Sequence, residues 1–330
     1  MFPSVSVVIP TYNSESFLED TLHSVFTQTR LPDEIVIVDD CSRDGTVALI
    51  EKSIHTSPVP LRCIKLSHNT GSPVEPMNVG IENCKSTLVA LLDHDDLMLP
   101  DKLALQADCF RQRPDLDMVF GDYTLFDGTS ESEAVCLETR KELEAVGQKI
   151  GLFYFVPSLV MTQMQLVDCR LAMSCSNFMF KKCVWAENNQ FDSQFPIICD
   201  FTFKLKIMSK GVVGYLPRVL FRKRVHSSNF ADSQSIWKRR REIDDVCLAI
   251  VQSNSLLLKD CWFCNRLQQM LIGQGWYHRR QRRYLESLHY YWDCFSILGF
   301  SRDLLQHLLK FPFAVMFDAI RSPCKPSESA

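Results

Sequence analysis

Three carboxylates within four residues, Asp93, Asp95 and Asp96, follow directly on the apolar run Thr87 to Leu92. Clustered carboxylates repel one another unless a cation or hydrogen-bond donors offset the charge. Hard oxygen ligands of this kind suit Mg²⁺ or Mn²⁺, which keep waters and bridge to substrate phosphates. A second acidic pair, Asp39-Asp40, ends another apolar run, Glu34 to Val38. Further on, Asp200 stands at the start of an amphipathic segment, and Arg224-Val225-His226 closes an apolar stretch with two groups able to meet phosphate or metal. A solvated acidic loop is the other reading of Asp93–Asp96, and those residues alone leave both open.

The elements that must position these groups alternate in type. Val5 to Ile9 reads as a buried strand and Pro10-Thr11-Tyr12-Asn13 as the loop leaving it. Phe17, Leu18, Leu22, Val25 and Phe26 share one helical face, with Ser14 or Ser16 to cap it. Strand, acidic turn and helix then recur: Glu34 to Val38, Cys41 to Gly45, and a helix capped by Thr46. Leu61 to Leu66 is a third strand, Asn69 to Ser72 a loop, and Pro76 falls in the first turn of a helix holding Met77 to Cys84. Thr87 to Leu92 is too short for a typical helix and continuously apolar, as a strand buried on both faces should be. Pro100 opens the next helix. This alternation specifies a mostly parallel, doubly wound α/β sheet, whose ligands bind at the carboxyl ends of the strands.

Beyond it, Met118 to Tyr123 reads as a strand, Ser130 to Lys149 as a flexible polar excursion, and Ser176 to Phe180 as a short strand. A helix starts at Asp200 and ends at Gly211, and two strands follow, Val212 to Leu216 and Val219 to Phe221. From Ile236 the pattern is helical. No GxGxxG follows the first strand and there is no GxxxxGK[ST], which disfavours nicotinamide, flavin and P-loop chemistry.

The charge is divided unevenly. Residues 234–330 hold 14 Lys and Arg against 9 Asp and Glu, about +5, which leaves residues 1–233 at about −8. Nucleic acid is therefore not an expected partner of the main domain, while the basic tail suits an anionic membrane surface or plain solvent. The 14 cysteines lie among apolar positions and read as reduced, and Cys261-Trp262-Phe263-Cys264 reads as a buried thiol pair rather than a zinc site. The amino-terminal stretch reads as a strand rather than a signal peptide, and no apolar run is long enough to span a bilayer. These features predict a cytoplasmic protein, soluble or peripheral.

Taken together, Val5 to Asn13 (VSVVIPTYN), Val38 to Thr46 (VDDCSRDGT), Asn69 to Ser72, Asn78 to Ile81 and Leu91 to Asp96 (LLDHDD) resemble glycosyltransferase family 2, in the family's order. The resemblance continues through Phe178 to Lys182 (FMFKK), Asn189 to Phe195 (NQFDSQF), Asp200 at the end of an ED-type motif, and Arg224-Val225-His226 as an RxH motif. It covers about residues 4–228. It implies the GT-A fold over 1–230, with a nucleotide-sugar-binding half at about 1–123 and an acceptor and catalytic half at about 150–230, followed by a helical extension over 231–330. It further implies inverting transfer from a nucleotide sugar with Mn²⁺ or Mg²⁺.

Residue by residue, the resemblance places Pro10, Tyr12 and Asp40 around the nucleobase, a pairing that favours UDP, with Asp39 as a support for the loop. It places Asp95 at the ribose, and Asp93, Asp95, Asp96 and His226 around the metal. Arg224 falls on the phosphates, and Asp200 serves as the base that deprotonates an acceptor hydroxyl. That acceptor would be a glycan or a lipid-linked sugar of surface polysaccharide or glycolipid synthesis. Two departures stand out: Cys199 where the family commonly has Glu, and Pro76-Met77 where a small residue and Arg often precede the Asn. They point to the alternative of a non-catalytic relative that binds nucleotide or a partner. In the tail, Leu304, Leu305, Leu308, Leu309, Phe311, Phe313, Val315 and Phe317 are expected either to pack or to lie on a membrane.

Overall fold

The structure is a computed structural model that describes residues 3–135, 137–167, 174–188, 190–227, 229, 236–253, 257–259, 261–299 and 301–310. The chain divides into two compact units, Met1–Val246 and Cys247–Ala330. In the first, ten strands form one sheet: β1 (Val5–Thr11), β2 (Glu34–Asp39), β3 (Leu61–Lys65), β4 (Leu88–Leu91), β5 (Leu97–Met98), β6 (Met118–Phe126), β7 (Gln148–Ile150), β8 (Phe153–Val156), β9 (Met179–Lys181) and β10 (Val213–Arg224). Their order is β3-β2-β1-β4-β9-β6-β10-β8-β7, with the two-residue β5 pairing β10. The half β3-β2-β1-β4 is parallel, as is β6 with β10. Antiparallel β9 is inserted between β4 and β6.

The helices are α1 (Leu18–Phe26), α2 (Thr46–Thr56), α3 (Val74–Asn83), α4 (Lys102–Gln112), α5 (Leu137–Val146), α6 (Ser158–Val167), α7 (Lys182–Glu187), α8 (Cys199–Lys210) and α9 (Ile236–Ser253), which runs across the boundary between the units. Alternate residues of each strand feed opposite faces, so two cores sandwich the sheet. Val7, Ile9, Ile35 and Ile37 pack with Leu18, Leu22, Ile50 and Leu103 on one side. Val8, Val36 and Val38 pack with Met77, Ile81 and Phe203 on the other. Gly80 is what lets α3 close on the sheet, since a Cβ there would run into the Val8 side chain and lie 3.1 Å from Val38 Cγ2.

Several elements differ from the sequence reading. Val212–Leu216 and Val219–Phe221 are one strand, β10, whose pairing with β6 shifts register between Tyr215 and Val219, the interval that holds Pro217. Proline has no N–H for the ladder, so strands accept it at irregular positions. The polar stretch Ser130 to Lys149 contains α5 and the start of β7, and Arg140 of α5 binds the fully buried Asp122 at 3.3 Å. Ser176 and Asn177 lie in a 3₁₀ turn, Cys175–Asn177, and the strand starts only at Met179. Thr46 is the first residue of α2 rather than its cap; its hydroxyl accepts from Ser14 N at 2.6 Å, while Asp44 accepts from Thr46 N at 3.0 Å.

The second unit holds α10 (Cys261–Arg280), α11 (Tyr284–Leu298) and α12 (Arg302–Leu309). A tight turn with Arg282 in the left-handed region joins α10 to α11. Gly275 permits their close approach, because a Cβ there would strike the Tyr291 ring, and Ser287 Oγ donates to the Gly275 carbonyl at 2.6 Å. Cys261 and Cys264 are not a buried pair: Cys261 is exposed, and Cys264, partly buried, donates to Leu258 O at 3.2 Å. Among the described residues no helix is long and apolar enough to cross a membrane. Phe311, Phe313, Val315 and Phe317 lie outside the described residues.

Candidate active site

The site opens where β1 stops pairing with β4. Their ladder ends at Val8↔Leu91, while β1 and β2 stay together to Thr11↔Asp39. β1 has neighbours on both sides whose crossovers leave it in opposite directions, the switch point at which open α/β sheets hold ligands. Pro10 falls just past the last β4 partner, where an N–H is not needed, and its carbonyl lies 3.3 Å from His94 Nδ1. His94, a mere spacer by sequence, thus ties two strand ends together. Tyr12 follows with its ring 40% exposed over the strand ends.

Asp40 is buried, and its carboxylate accepts from Thr70 N at 2.9 Å and Thr70 Oγ1 at 3.0 Å, clasping the Asn69–Ser72 loop. Asp39 accepts from Ser42 N at 3.1 Å and holds the turn after β2; its Oδ1 is buried with no donor facing it. Asn78 serves the fold on the far side of α3. Its carboxamide accepts from Trp185 Nε1 and Phe191 N at 3.0 Å each, which secures the NQFDSQF segment.

The acid cluster divides into two parts. Asp96 is almost fully buried and both its oxygens are taken, Oδ2 by Ser176 Oγ at 2.6 Å and Oδ1 by Arg224 N at 3.0 Å. Ser176 also receives Asp93 N at 3.0 Å, and Ser174 donates to Asp93 Oδ2 at 3.4 Å. Asp95 turns the other way and meets His226 Nε2 at 2.9 Å and Asn229 Nδ2 at 3.2 Å. Phe17 stacks on the His226 ring at 4.4 Å and fixes its plane. Arg224 donates from Nε to Asp95 O at 3.0 Å, pairs with Asp20 at 3.2 Å, and lies over the rings of Phe17 and Phe126.

Burial pushes the Asp96 carboxyl well above the usual carboxylate range; Lys223 pulls it back, and Asp95 and Asp93 push it further. Asp93 is raised for the same reasons, with a contribution from Asp200. Burial works against the Lys223 ammonium, yet Asp96 and Asp93 hold its pKa above the ordinary lysine value. The pairing of β10 with β5, Arg222 opposite Leu97, brings Lys223 up to Asp96. A lysine one residue before the RxH motif is therefore the internal cation of the cluster.

Asp200 lies in the first turn of α8, its side chain 16% exposed and 3.4 Å from the fully buried Lys204 Nζ one turn on. The Lys204 ammonium in turn lies 5.3 Å from the Phe178 ring. Cys199 faces inward against Cys175, a buried thiol where the family commonly has a carboxylate. The roles of Ser176, Phe17, Asp20, Asn229, Lys223 and Lys204 escape sequence reading. Asn229, three residues past His226, carried the only local signal.

Asp95 and His226 fit an open metal site, in which one or two protein ligands act with waters and substrate phosphate oxygens. Asp96, almost fully buried, meets Ser176 Oγ and Arg224 N instead. Among the described residues no group of three or more His, Cys, Asp or Glu side chains gathers in a metal-holding arrangement.

Residues 6–169 fit the family described as Glycosyl transferase family 2. TuaG of Bacillus subtilis, described as a glycosyltransferase of teichuronic acid biosynthesis, is 36% identical over 129 residues, which are 38% of this chain and 50% of TuaG. TarS of Staphylococcus aureus, a poly(ribitol-phosphate) beta-N-acetylglucosaminyltransferase, is 29% identical over 147 residues, 44% of this chain and 25% of TarS. The match thus spans half or less of the length of these two relatives. In structure, residues 1–349 of TarS in complex with UDP-GlcNAc superpose with a TM-score of 0.60 at 17% identity, over 87% of this chain and 90% of that one. That likeness establishes the GT-A fold. The sequence match runs from β1 through α6, so residues 6–169 belong to glycosyltransferase family 2.

Proposed function

We propose that the protein is an inverting glycosyltransferase that moves a sugar from a UDP-sugar to a hydroxyl of a glycan or lipid-linked acceptor, in surface polysaccharide or glycolipid synthesis. It works in the cytoplasm, at the inner face of the membrane. The observation that carries this reading is the division of labour among carboxylates at one sheet edge. Asp40 and Tyr12 stand at the β1–β2 end, Asp95 is paired with His226, and Asp200 is a separate carboxylate whose charge reaches Asp93. The UDP complex of TarS supports the choice of nucleotide.

On this reading Tyr12 stacks on uracil beside Pro10, and Asp40 accepts its imide N–H with the lone pairs that Thr70 leaves over. Asp95 reaches the ribose and, with His226, holds Mn²⁺ or Mg²⁺. The bound metal would neutralise charge on the departing diphosphate. Arg224 braces Asp95 from below and adds positive potential near the phosphates. Asp93, Asp96 and Lys223 form the buried base on which Asp95 is set. Asp200 takes the proton of the acceptor hydroxyl as that oxygen attacks the anomeric carbon from the face opposite the diphosphate, which inverts the configuration. Positive charge develops on the ring as in glycoside hydrolysis, and excluded water favours transfer over donor hydrolysis.

The test is nucleoside diphosphate release, UDP or GDP, from a panel of UDP-sugars and GDP-sugars with Mn²⁺ and mixed acceptors. Release from at least one UDP-sugar and none of the GDP-sugars is expected. Tight UDP binding without release from any donor would instead mark a non-catalytic nucleotide-binding relative.

A further inference from the structure

On the second unit, α11 buries Ser287, Tyr290, Tyr291 and Cys294 and turns a different stripe outward. Leu285, Leu288 and Trp292 recur at helical spacing along it, and they are 81%, 41% and 64% exposed. On α12 the face opposite buried Leu304 adds Leu305 and Leu309, 47% and 63% exposed. Between the two helices runs a groove of about 490 Å³, lined by Leu285, Leu288, Trp292, Phe295 and Leu308. Folded soluble surfaces scatter single apolar residues, but a continuous apolar stripe with an aromatic ring marks an interaction site.

Charge says what the stripe meets. Arg279 Nη1 donates to His307 O at 3.0 Å, which pins the end of α12 to the turn between α10 and α11. Arg280, Arg282 and Arg283 follow Arg279 in the chain and Lys310 lies three residues after His307, so positive charge collects where these two segments meet. Glu286, paired with Arg283 at 3.1 Å, is the acid among them; His289 and Asp293 pair farther along, at 3.3 Å. Arg280 also lies over the ring of Trp276, which is 39% exposed. Apolar side chains and tryptophan on one face, with arginines at the rim, match the boundary between acyl chains and anionic headgroups. After Lys310 the sequence continues Phe-Pro-Phe-Ala-Val-Met-Phe, so the apolar character extends along the chain.

We infer that the outward stripe of α11, with Leu305 and Leu309 of α12 and the arginines of the α10–α11 turn, docks the protein on an anionic lipid bilayer. This gives residues to the membrane contact of the proposed function, and it does not depend on the transfer chemistry. The sequence pointed to the basic, apolar tail after Ile236; among the described residues, α11 contributes the exposed Leu285, Leu288 and Trp292.

The full chain is floated with vesicles of phosphatidylcholine alone and of phosphatidylcholine mixed with phosphatidylglycerol, at low and high salt, with UDP release read in parallel. Wild type should float with the mixed vesicles at low salt, and not with phosphatidylcholine or at high salt. L285S/W292S should bind at least about tenfold more weakly, given the transfer energy of the two side chains. R282S/Lys310→Ser should lose the preference for phosphatidylglycerol. Circular dichroism of both variants should match wild type, and UDP release from soluble acceptors should be unchanged. Failure of wild type to float, or flotation of L285S/W292S like wild type, would overturn the inference whatever the transferase assay reads. So would a lipid-free dimer, seen by light scattering, that those two substitutions disperse.

Discussion

A carboxylate that takes a proton from an acceptor hydroxyl has to be held in one place, and Lys204, buried 3.4 Å from Asp200, holds this one. Asp200→Asn keeps the size but cannot accept the proton, so transfer should fall by about 10²–10⁴-fold with UDP binding unchanged. A mutant that keeps more than a small fraction of wild-type transfer would remove Asp200 from the chemistry. Two neighbouring aspartates should part company in the same assays. Asp95→Asn should weaken Mn²⁺-dependent UDP binding, followed by calorimetry with and without EDTA, and leave thermal stability nearly intact. Asp96→Asn should cost about 1–3 kcal/mol of stability, because the carboxylate accepts two buried donors, Ser176 Oγ and Arg224 N. Equal effects of the two on metal and on melting would dissolve the distinction. Asp40→Ala should weaken UDP by about 1–3 kcal/mol through loss of the acceptor for the imide; GDP bound as tightly as UDP by the wild type would contradict the pairing. Sequence made Asp40, Asp95 and Asp96 visible because they follow apolar runs, and Asp200 because it opens a helix. It could not separate Asp95 from Asp96, since their partners Asn229 and Ser176 lie 134 and 80 residues away along the chain.

At the level of elements, the parallel strands were legible because burial on both faces leaves continuous apolar runs closed by turns. β9 was read as starting at Ser176 rather than Met179, because Ser176 and Asn177 are polar residues made internal by pairing rather than by periodicity. Asn177 exchanges two hydrogen bonds with Gly121, N–H to Oδ1 at 3.0 Å and Nδ2 to O at 2.9 Å, and its carbonyl accepts from Gln106 Nε2 at 2.9 Å. Gln106 in turn accepts from Lys102 Nζ at 2.7 Å, so a polar chain runs from α4 under the acid cluster. Burial alone pulls the fully enclosed Lys102 down to about 7. An unfolded lysine titrates near 10.4. Between those values the unfolded chain holds a proton that the folded chain lacks, so stability rises with pH across that window and the penalty is largest at and below pH 7. Lys102→Met removes the titrating group, so its stability relative to wild type should be highest near pH 7 and should decline by pH 10. Urea melts at pH 7 and pH 9.5 measure the difference; one that does not change with pH would mean the ammonium is solvated in the folded protein.

Every group assigned to donor, metal or base belongs to the Met1–Val246 unit, while Cys247–Ala330, a compact unit in its own right, contains the buried Phe263, Leu267, Leu271 and Tyr291. The sequence located the helical extension by its change of period and charge after Ile236, but not the groove of α11, whose exposed leucines look by spacing like any core stripe. Two compact units with one nucleotide site should respond unequally to ligand. UDP with Mn²⁺ at about 100 times its Kd stabilises the state that binds it by about 2.7 kcal/mol. For a unit of that size such a gain raises the melting temperature by about 5–10 °C. Calorimetry of the full chain should therefore show two transitions, with only the one that carries the site moving up in UDP and Mn²⁺, and with the movement abolished in Asp95→Asn. A single cooperative transition, or equal shifts in both, would mean that the extension is part of the nucleotide-binding fold and not an independent body.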